Sequence, residues 1–136
     1  MSKYLLDTNI CIELLRGNTA IAKKINEKGL SKCRISEITK AELIYGEEYG
    51  RLKGMRYIPQ QLDIFFDTIK IIPISDSIRL YGAEKARLRH AGTPMEDDFD
   101  LLIGCTSVVK KCVMVTNNIR HFKNIQGVVI EDWMEE

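Results

Sequence analysis

Short apolar runs alternate along the chain with longer stretches in which apolar residues return at helical spacing. Lys3 to Leu6 reads as a buried strand. Thr8 is placed to cap a helix carrying Leu14 and Leu15, and Gly17 to stop it. Asn18 can cap a second helix, with Ile21 and Ile25 on one face and Gly29 past its end. Cys33 to Ile35 is a second short strand. Ser36 follows, and a helix from about Ile38 carries Ala41, Glu42, Leu43 and Tyr45, with Gly46 and Gly50 expected to weaken it beyond its first turns. Arg51 to Arg56 reads as a basic, glycine-containing mobile turn. Ile58, Leu62, Phe65, Phe66 and Ile69 then repeat as a helix, and Tyr57 to Phe66 is expected to serve as core or as a dimer interface.

Lys70 to Ile74 predicts a third strand, and Pro73 near its end suggests an edge or a terminus. Ser75 is placed to cap a helix bearing Ile78, Leu80, Tyr81, Ala86 and Leu88, which Gly92-Thr93-Pro94 breaks. Another helix starts near Asp98 and carries Leu101, Leu102 and Ile103. Cys112 to Val115 is a fourth strand, Asn117 to Phe122 a short turn or helix, and Val128 to Ile130 a fifth strand. Strand–helix alternation of this kind predicts an α/β fold: one domain over residues 1–136, with a central, mostly parallel sheet of four to five strands flanked by helices.

Composition narrows the function classes. With 136 residues, 45% hydrophobic and 29% charged, the chain can bury a core without disulfides and is not of the disordered type. Lysine plus arginine number 20 against 19 aspartate plus glutamate, so any nucleic-acid contact must come from a local patch. No apolar stretch approaches the ~18 residues of a membrane span. The apolar run ending before Asp7 is too short for a secretory signal, so a cytoplasmic location is expected. Cys11, Cys33, Cys105 and Cys112 form no C-x-x-C pair and read as buried hydrophobes in a reducing compartment.

Parallel sheets bind ligands at the carboxyl ends of their strands. Asp7 follows the first strand, Glu42 lies on the helix after the second, Asp98 and Asp100 open the helix leading to the fourth, and Asn118 follows the fourth. Several carboxylates in one cleft repel each other, and a hard divalent cation relieves that repulsion. Magnesium suits oxygen donors and retains waters; it can activate water and stabilise the charge of a phosphodiester in flight. No G-x-S-x-G, convincing Cys–His pair or glycine-rich phosphate loop offers another chemistry.

Five segments carry a resemblance: Leu5-Leu6-Asp7-Thr8-Asn9, Ala41-Glu42-Leu43, the run from Pro94 to Ile103, Val115-Thr116-Asn117-Asn118 with His121-Phe122, and Gly127 to Trp133. Together, in this order and over nearly the whole chain, they resemble the PIN-domain family, and within it the VapC toxins of bacterial toxin–antitoxin pairs. The resemblance implies a magnesium-dependent endoribonuclease, with manganese a possible substitute, neutralised by a cognate antitoxin of the VapB kind. It implies Asp7 and Asp100 as direct metal ligands, with Glu42 completing the site or acting through water. Where many members carry a fourth acid this chain has Asn118, so Asp98 is a candidate for the missing charge. Thr8, Asn9 and Thr116 are possible supporting residues. Homodimers are common in the family, and promoter DNA is bound by the toxin–antitoxin complex chiefly through the antitoxin.

Each residue also has a plainer role. Asp7 could cap the first helix, Glu42 could be a solvated charge, and Glu96, Asp97, Asp98 and Asp100 could complement a helix dipole. Lys40, Arg79, Arg87, Arg89 and His90, with Lys110, Lys111, Arg120 and Lys123, are candidate RNA contacts, because an acidic pocket needs positive flanks to attract a polyanion. Trp133 is expected to pack against the last strand. Two other classes stay open: a PIN-like module that binds RNA or protein without cutting, and an aspartyl phosphatase. The latter would need an acid two positions after Asp7, where Asn9 stands.

Overall fold

The computed structural model describes residues 2–55 and 60–134. Five strands, β1 (Lys3–Leu6), β2 (Cys33–Ser36), β3 (Lys70–Ile72), β4 (Cys112–Val115) and β5 (Ile130–Glu131), form one sheet in the order β3-β2-β1-β4-β5. Every pairing is parallel. Seven α-helices cover it among the described residues: α1 (Thr8–Leu15), α2 (Thr19–Lys28), α3 (Glu37–Leu52), α4 (Gln60–Thr68), α5 (Ile78–His90), α6 (Asp98–Val109) and α7 (Ile119–Phe122).

The alternation of side chains along β1 divides the core in two. Tyr4 and Leu6 join Ile10, Ile21, Leu43 and Phe65 on one face, while Leu5 joins Leu88, Leu101, Ile103, Met114 and Phe122 on the other. Burial on both faces is why these strands read as unbroken apolar runs. Trp133 is buried, 5.1 Å from the Tyr4 ring, and donates through Nε1 to Glu131 Oε1 of β5 at 3.0 Å. All four cysteines are free and buried. No described helix is long and apolar enough to cross a membrane.

Several expectations need correction. The cap of α1 is Asp7, not Thr8: the Thr8 hydroxyl is used elsewhere, and the Asp7 carboxylate accepts the Thr8 N–H at 2.7 Å. Helix α3 begins at Glu37, capped by Ser36, and runs through Gly46 and Gly50 to Leu52. Packing of α3 against α1, α4, α6 and the sheet outweighs the cost of roughly 1 kcal/mol per helical glycine. Strand β3 stops at Ile72, before Pro73, and is indeed an edge strand. A 3₁₀ turn over Ser75–Ser77 precedes α5, with no side-chain cap. Strand β5 starts at Ile130, two residues later than expected. Arg56, Tyr57 and Ile58 lie outside the described residues; Leu62, Phe65 and Ile69 do share a buried face.

This strand order sets where a site can form. From β1 the chain steps outward to β2 and β3, then returns past β1 to β4 and β5. The connections leaving β1 and β4 therefore diverge, which opens a crevice at their carboxyl ends. Leu6 pairs with Val115, and the Asp7 N–H donates to the Val115 carbonyl at 2.9 Å. Asp7 and Thr116 thus leave neighbouring strands side by side.

Candidate active site

A cleft of about 530 Å³ opens at that crevice, lined by Asp7, Glu42, Asp97, Asp100, Asn118 and His121 together with Thr8 and Asn9. Asp7, at the end of the central strand, is the most deeply set, at 3% exposure. Its Oδ1 accepts the Thr8 N–H, and its Oδ2 accepts the Thr116 hydroxyl at 2.9 Å. The same Thr116 oxygen accepts the Asn118 N–H at 2.9 Å, so the turn after β4 locks the carboxylate in place. Burial pushes the Asp7 carboxyl up to about 6; the Asp100 charge adds to this, and the two hydrogen bonds only partly offset it.

Glu42 reaches the cleft from α3. Its Oε1 lies 2.6 Å from Thr8 Oγ1, which also lies 3.0 Å from buried Thr39 Oγ1. A hydroxyl has one proton, so Thr8 donates to the carboxylate and accepts from Thr39. Burial raises the Glu42 pKa, and the charges of Asp97 and Asp7 raise it further. Asp100 stands in the first turn of α6, half-buried, with Oδ2 3.2 Å from His121 Nδ1. Burial raises its pKa too, aided by Asp97 and Glu42 and opposed by His121.

Asp97 caps α6, its Oδ1 accepting the N–H groups of Phe99 and Asp100 at 3.0 and 3.2 Å. Asp98 does not supply the missing charge. It turns away to accept Tyr81 Oη at 2.8 Å and Lys85 Nζ at 2.7 Å, and Lys85 holds its carboxyl below the usual range. Successive helical positions point about 100° apart, so Asp98 and Asp100 cannot share a face. Asn118 does line the cleft; its side chain makes no capping bond to α7.

The expected positive flank is reduced. Arg87 grips buried Glu84 through Nε and Nη2 at 2.7 and 2.8 Å and also donates to the Asn124 carbonyl, while Lys110 pairs with Asp76 at 2.7 Å. Lys40 sits 5.3 Å from the centre of the Phe66 ring. Arg79, Arg89, His90, Lys111, Arg120 and Lys123 are exposed. Arg120 lines an adjoining pocket of about 240 Å³ that shares Asp97 and His121 with the cleft. Sequence reasoning assigned no role to Asp97 or His121 in the cleft. For His121 the signal was its place one helical turn past Asn118.

No lysine or arginine lines the cleft among the described residues. Three carboxylates with raised pKa values therefore share a space without a fixed cation, which is the chemistry a hard divalent ion stabilises. Among the described residues no three histidine, cysteine, aspartate or glutamate side chains stand together so as to hold a metal ion between them. An ion bound here would therefore rest on one or two of these carboxylates and keep most of its waters, a coordination that magnesium tolerates.

The PIN domain profile matches residues 4–128. Ribonuclease VapC2 of Rickettsia felis is 32% identical over 96% of this chain and 97% of its own length. The tRNA(fMet)-specific endonuclease VapC of Salmonella typhimurium is also 32% identical, over 98% and 99%. Among solved structures, the DNA-bound VapBC of Salmonella typhimurium superposes with a TM-score of 0.82 at 32% identity, covering 98% of this chain and 99% of that one. VapBC2 of Rickettsia felis bound to a promoter DNA fragment gives 0.83 at 30% identity, covering 96% and 98%. The order of strands, the acidic crevice at their carboxyl ends and these likenesses over nearly the full length agree: the chain belongs to the PIN domain family and, within it, to the VapC proteins.

Proposed function

We propose that this chain is a metal-dependent endoribonuclease, the toxin of a VapBC-type pair. The observation that carries this reading is the convergence of Asp7, Glu42 and Asp100, from three separate elements, on one cleft where burial and mutual repulsion raise every pKa. Asp7 and Asp100 would hold a magnesium or manganese ion directly, and Glu42 would hold it directly or through water. When bound, such an ion neutralises charge developing on a phosphodiester and lowers the pKa of a water. The chain's own groups do the positioning. Thr116 and the Thr8 N–H fix both oxygens of Asp7, the Thr8 hydroxyl fixes one of Glu42, and His121 steadies Asp100. Asn118 offers an amide oxygen to the same cleft without adding charge.

The partner would be a VapB-like antitoxin. A groove of about 340 Å³, lined by Ile12, Leu15, Leu43, Met55 and Leu62, shares Ile12, Glu42 and Gly46 with the acidic cleft. An amphipathic segment lying in this groove could deliver a basic side chain to the carboxylates. A homodimer, with promoter DNA contacted through the antitoxin, completes the proposal. The test is cleavage of RNA by the purified chain with magnesium or manganese, read by mapping the cut ends. Cleavage is expected to stop with chelator and in D7N and D100N. No cleavage by the wild type, or unchanged rates in both variants, would refute it.

A further inference from the structure

We propose that Tyr45 and Phe99 are base-stacking positions, one on each wall of the cleft, that hold unpaired nucleotides of the RNA; this rests on the ribonuclease reading above. The carboxylate cleft repels phosphate, and no lysine or arginine lines it among the described residues. A bound ion would meet only the scissile phosphate, so further purchase on the substrate falls to the bases, whose faces stack on aromatic rings whatever their sequence.

The two rings are placed for this. Both line the cleft, and both stay in solvent, Tyr45 at 67% exposure and Phe99 at 49%. Tyr45 stands one turn after Glu42 on α3, and Phe99 directly precedes Asp100 on α6, so each ring adjoins a carboxylate of the site. Tyr45 also has a ring partner on its own helix. Its ring stacks on Tyr49 with centroids 5.9 Å apart and planes within 4°. Lys53 Nζ lies 5.2 Å from the Tyr49 centroid. Positions 45, 49 and 53 follow one another at four-residue spacing, forming a line of two rings and a cation that leads away from the carboxylates. A ring held in place costs less to order when a base docks on it. Duplex RNA keeps its bases paired and stacked inside, so rings at this position select nucleotides that are already splayed.

The test uses a single-stranded oligoribonucleotide carrying 2-aminopurine at each position in turn, and the same strand annealed to its complement. The wild-type chain should cut the single strand in preference to the duplex. In the uncut complex of D100N, fluorescence should be quenched at the positions flanking the cut. Y45A and F99A should raise KM about ten-fold with kcat little changed, the loss of ~1.4 kcal/mol of binding. Y45W should restore KM and Y45L should not. Y45L and F99L that bind and cut like the wild type would overturn the stacking assignment while leaving the nuclease reading intact. So would variants that cut normally but shift the sedimentation mass, since the rings would then belong to a protein interface. A wild-type chain that cuts no RNA with either metal would overturn both.

Discussion

Replacing Asp7 by asparagine should stabilise the chain at neutral pH in chelator, and the site sets the size of the gain. The carboxyl is 3% exposed and titrates at about 6 rather than 3.8. The folded chain thus holds this proton more tightly than the unfolded one. The stability conferred is complete below about pH 4 and is lost as pH rises through about 6. The ionised form at pH 7.5 therefore costs about 3 kcal/mol, at ~1.4 kcal/mol per tenfold. Asparagine keeps the shape without the charge. Its oxygen can still accept the Thr8 N–H, and the Thr116 hydroxyl can turn to accept from the amide. Unfolding of wild type and D7N in EDTA from pH 4 to pH 8 gives a difference curve in which groups remote from Asp7 cancel, leaving Asp7 and the acids coupled to it, Glu42 and Asp100. D7N should gain up to about 3 kcal/mol at pH 7.5, roughly 10 °C in Tm, and about 0.5 kcal/mol at pH 4. A flat difference curve, or a less stable D7N at pH 7.5, would show that burial of this charge does not govern the site.

Magnesium at ten times its Kd should stabilise the wild type by about 1.4 kcal/mol, seen as a rise in Tm that D7N combined with D100N lacks. D98N should cut RNA at the wild-type rate, because Asp98 faces Tyr81 and Lys85 rather than the cleft; a fall like that of D100N would return it to the site. G104A should lose up to about 2 kcal/mol in urea unfolding, since an added Cβ collides with Ile125 Cδ1 and sits 3.2 Å from Phe122 Cδ1, a cost of about 1–3 kcal/mol that the helix propensity of alanine offsets by roughly 1 kcal/mol. A G104A about 1 kcal/mol more stable than the wild type would show that the Ile125 side chain moves aside at no cost.

The strands, the parallel sheet and the meeting of Asp7, Glu42 and Asp100 in one cleft were legible because they rest on local signals. These are apolar runs bounded by turn residues, and carboxylates placed just after them. Asp98 was not legible in the same way. Glu96, Asp97, Asp98 and Asp100 crowd one short run, and which of them faces the cleft depends on the exact phase of α6 behind its Asp97 cap, which a helix start placed only near Asp98 leaves open. Helix α3 was underestimated because glycine propensity is local while the packing that overrides it is not. The roles of Thr116 and His121 depend on contacts 109 and 21 residues away along the chain, and no periodicity reports those. Two members of the expected cationic flank were hidden for the same reason: Arg87 and Lys110 are committed to Glu84 and Asp76, partners that only the fold reveals.

The hydrogen bond from Thr116 to Asp7 has a consequence for synthesis. Strand β1 is made first yet ends in the middle of the sheet, with β4 as one of its two neighbours. A nascent polypeptide that has not yet emerged through β4 carries all three principal carboxylates, but β1 has an open edge and the Thr8 N–H alone is left to hold Asp7. Competence therefore arrives late and all at once. A chain truncated before Thr116 would lack both the second neighbour of β1 and the hydroxyl that fixes Asp7 Oδ2.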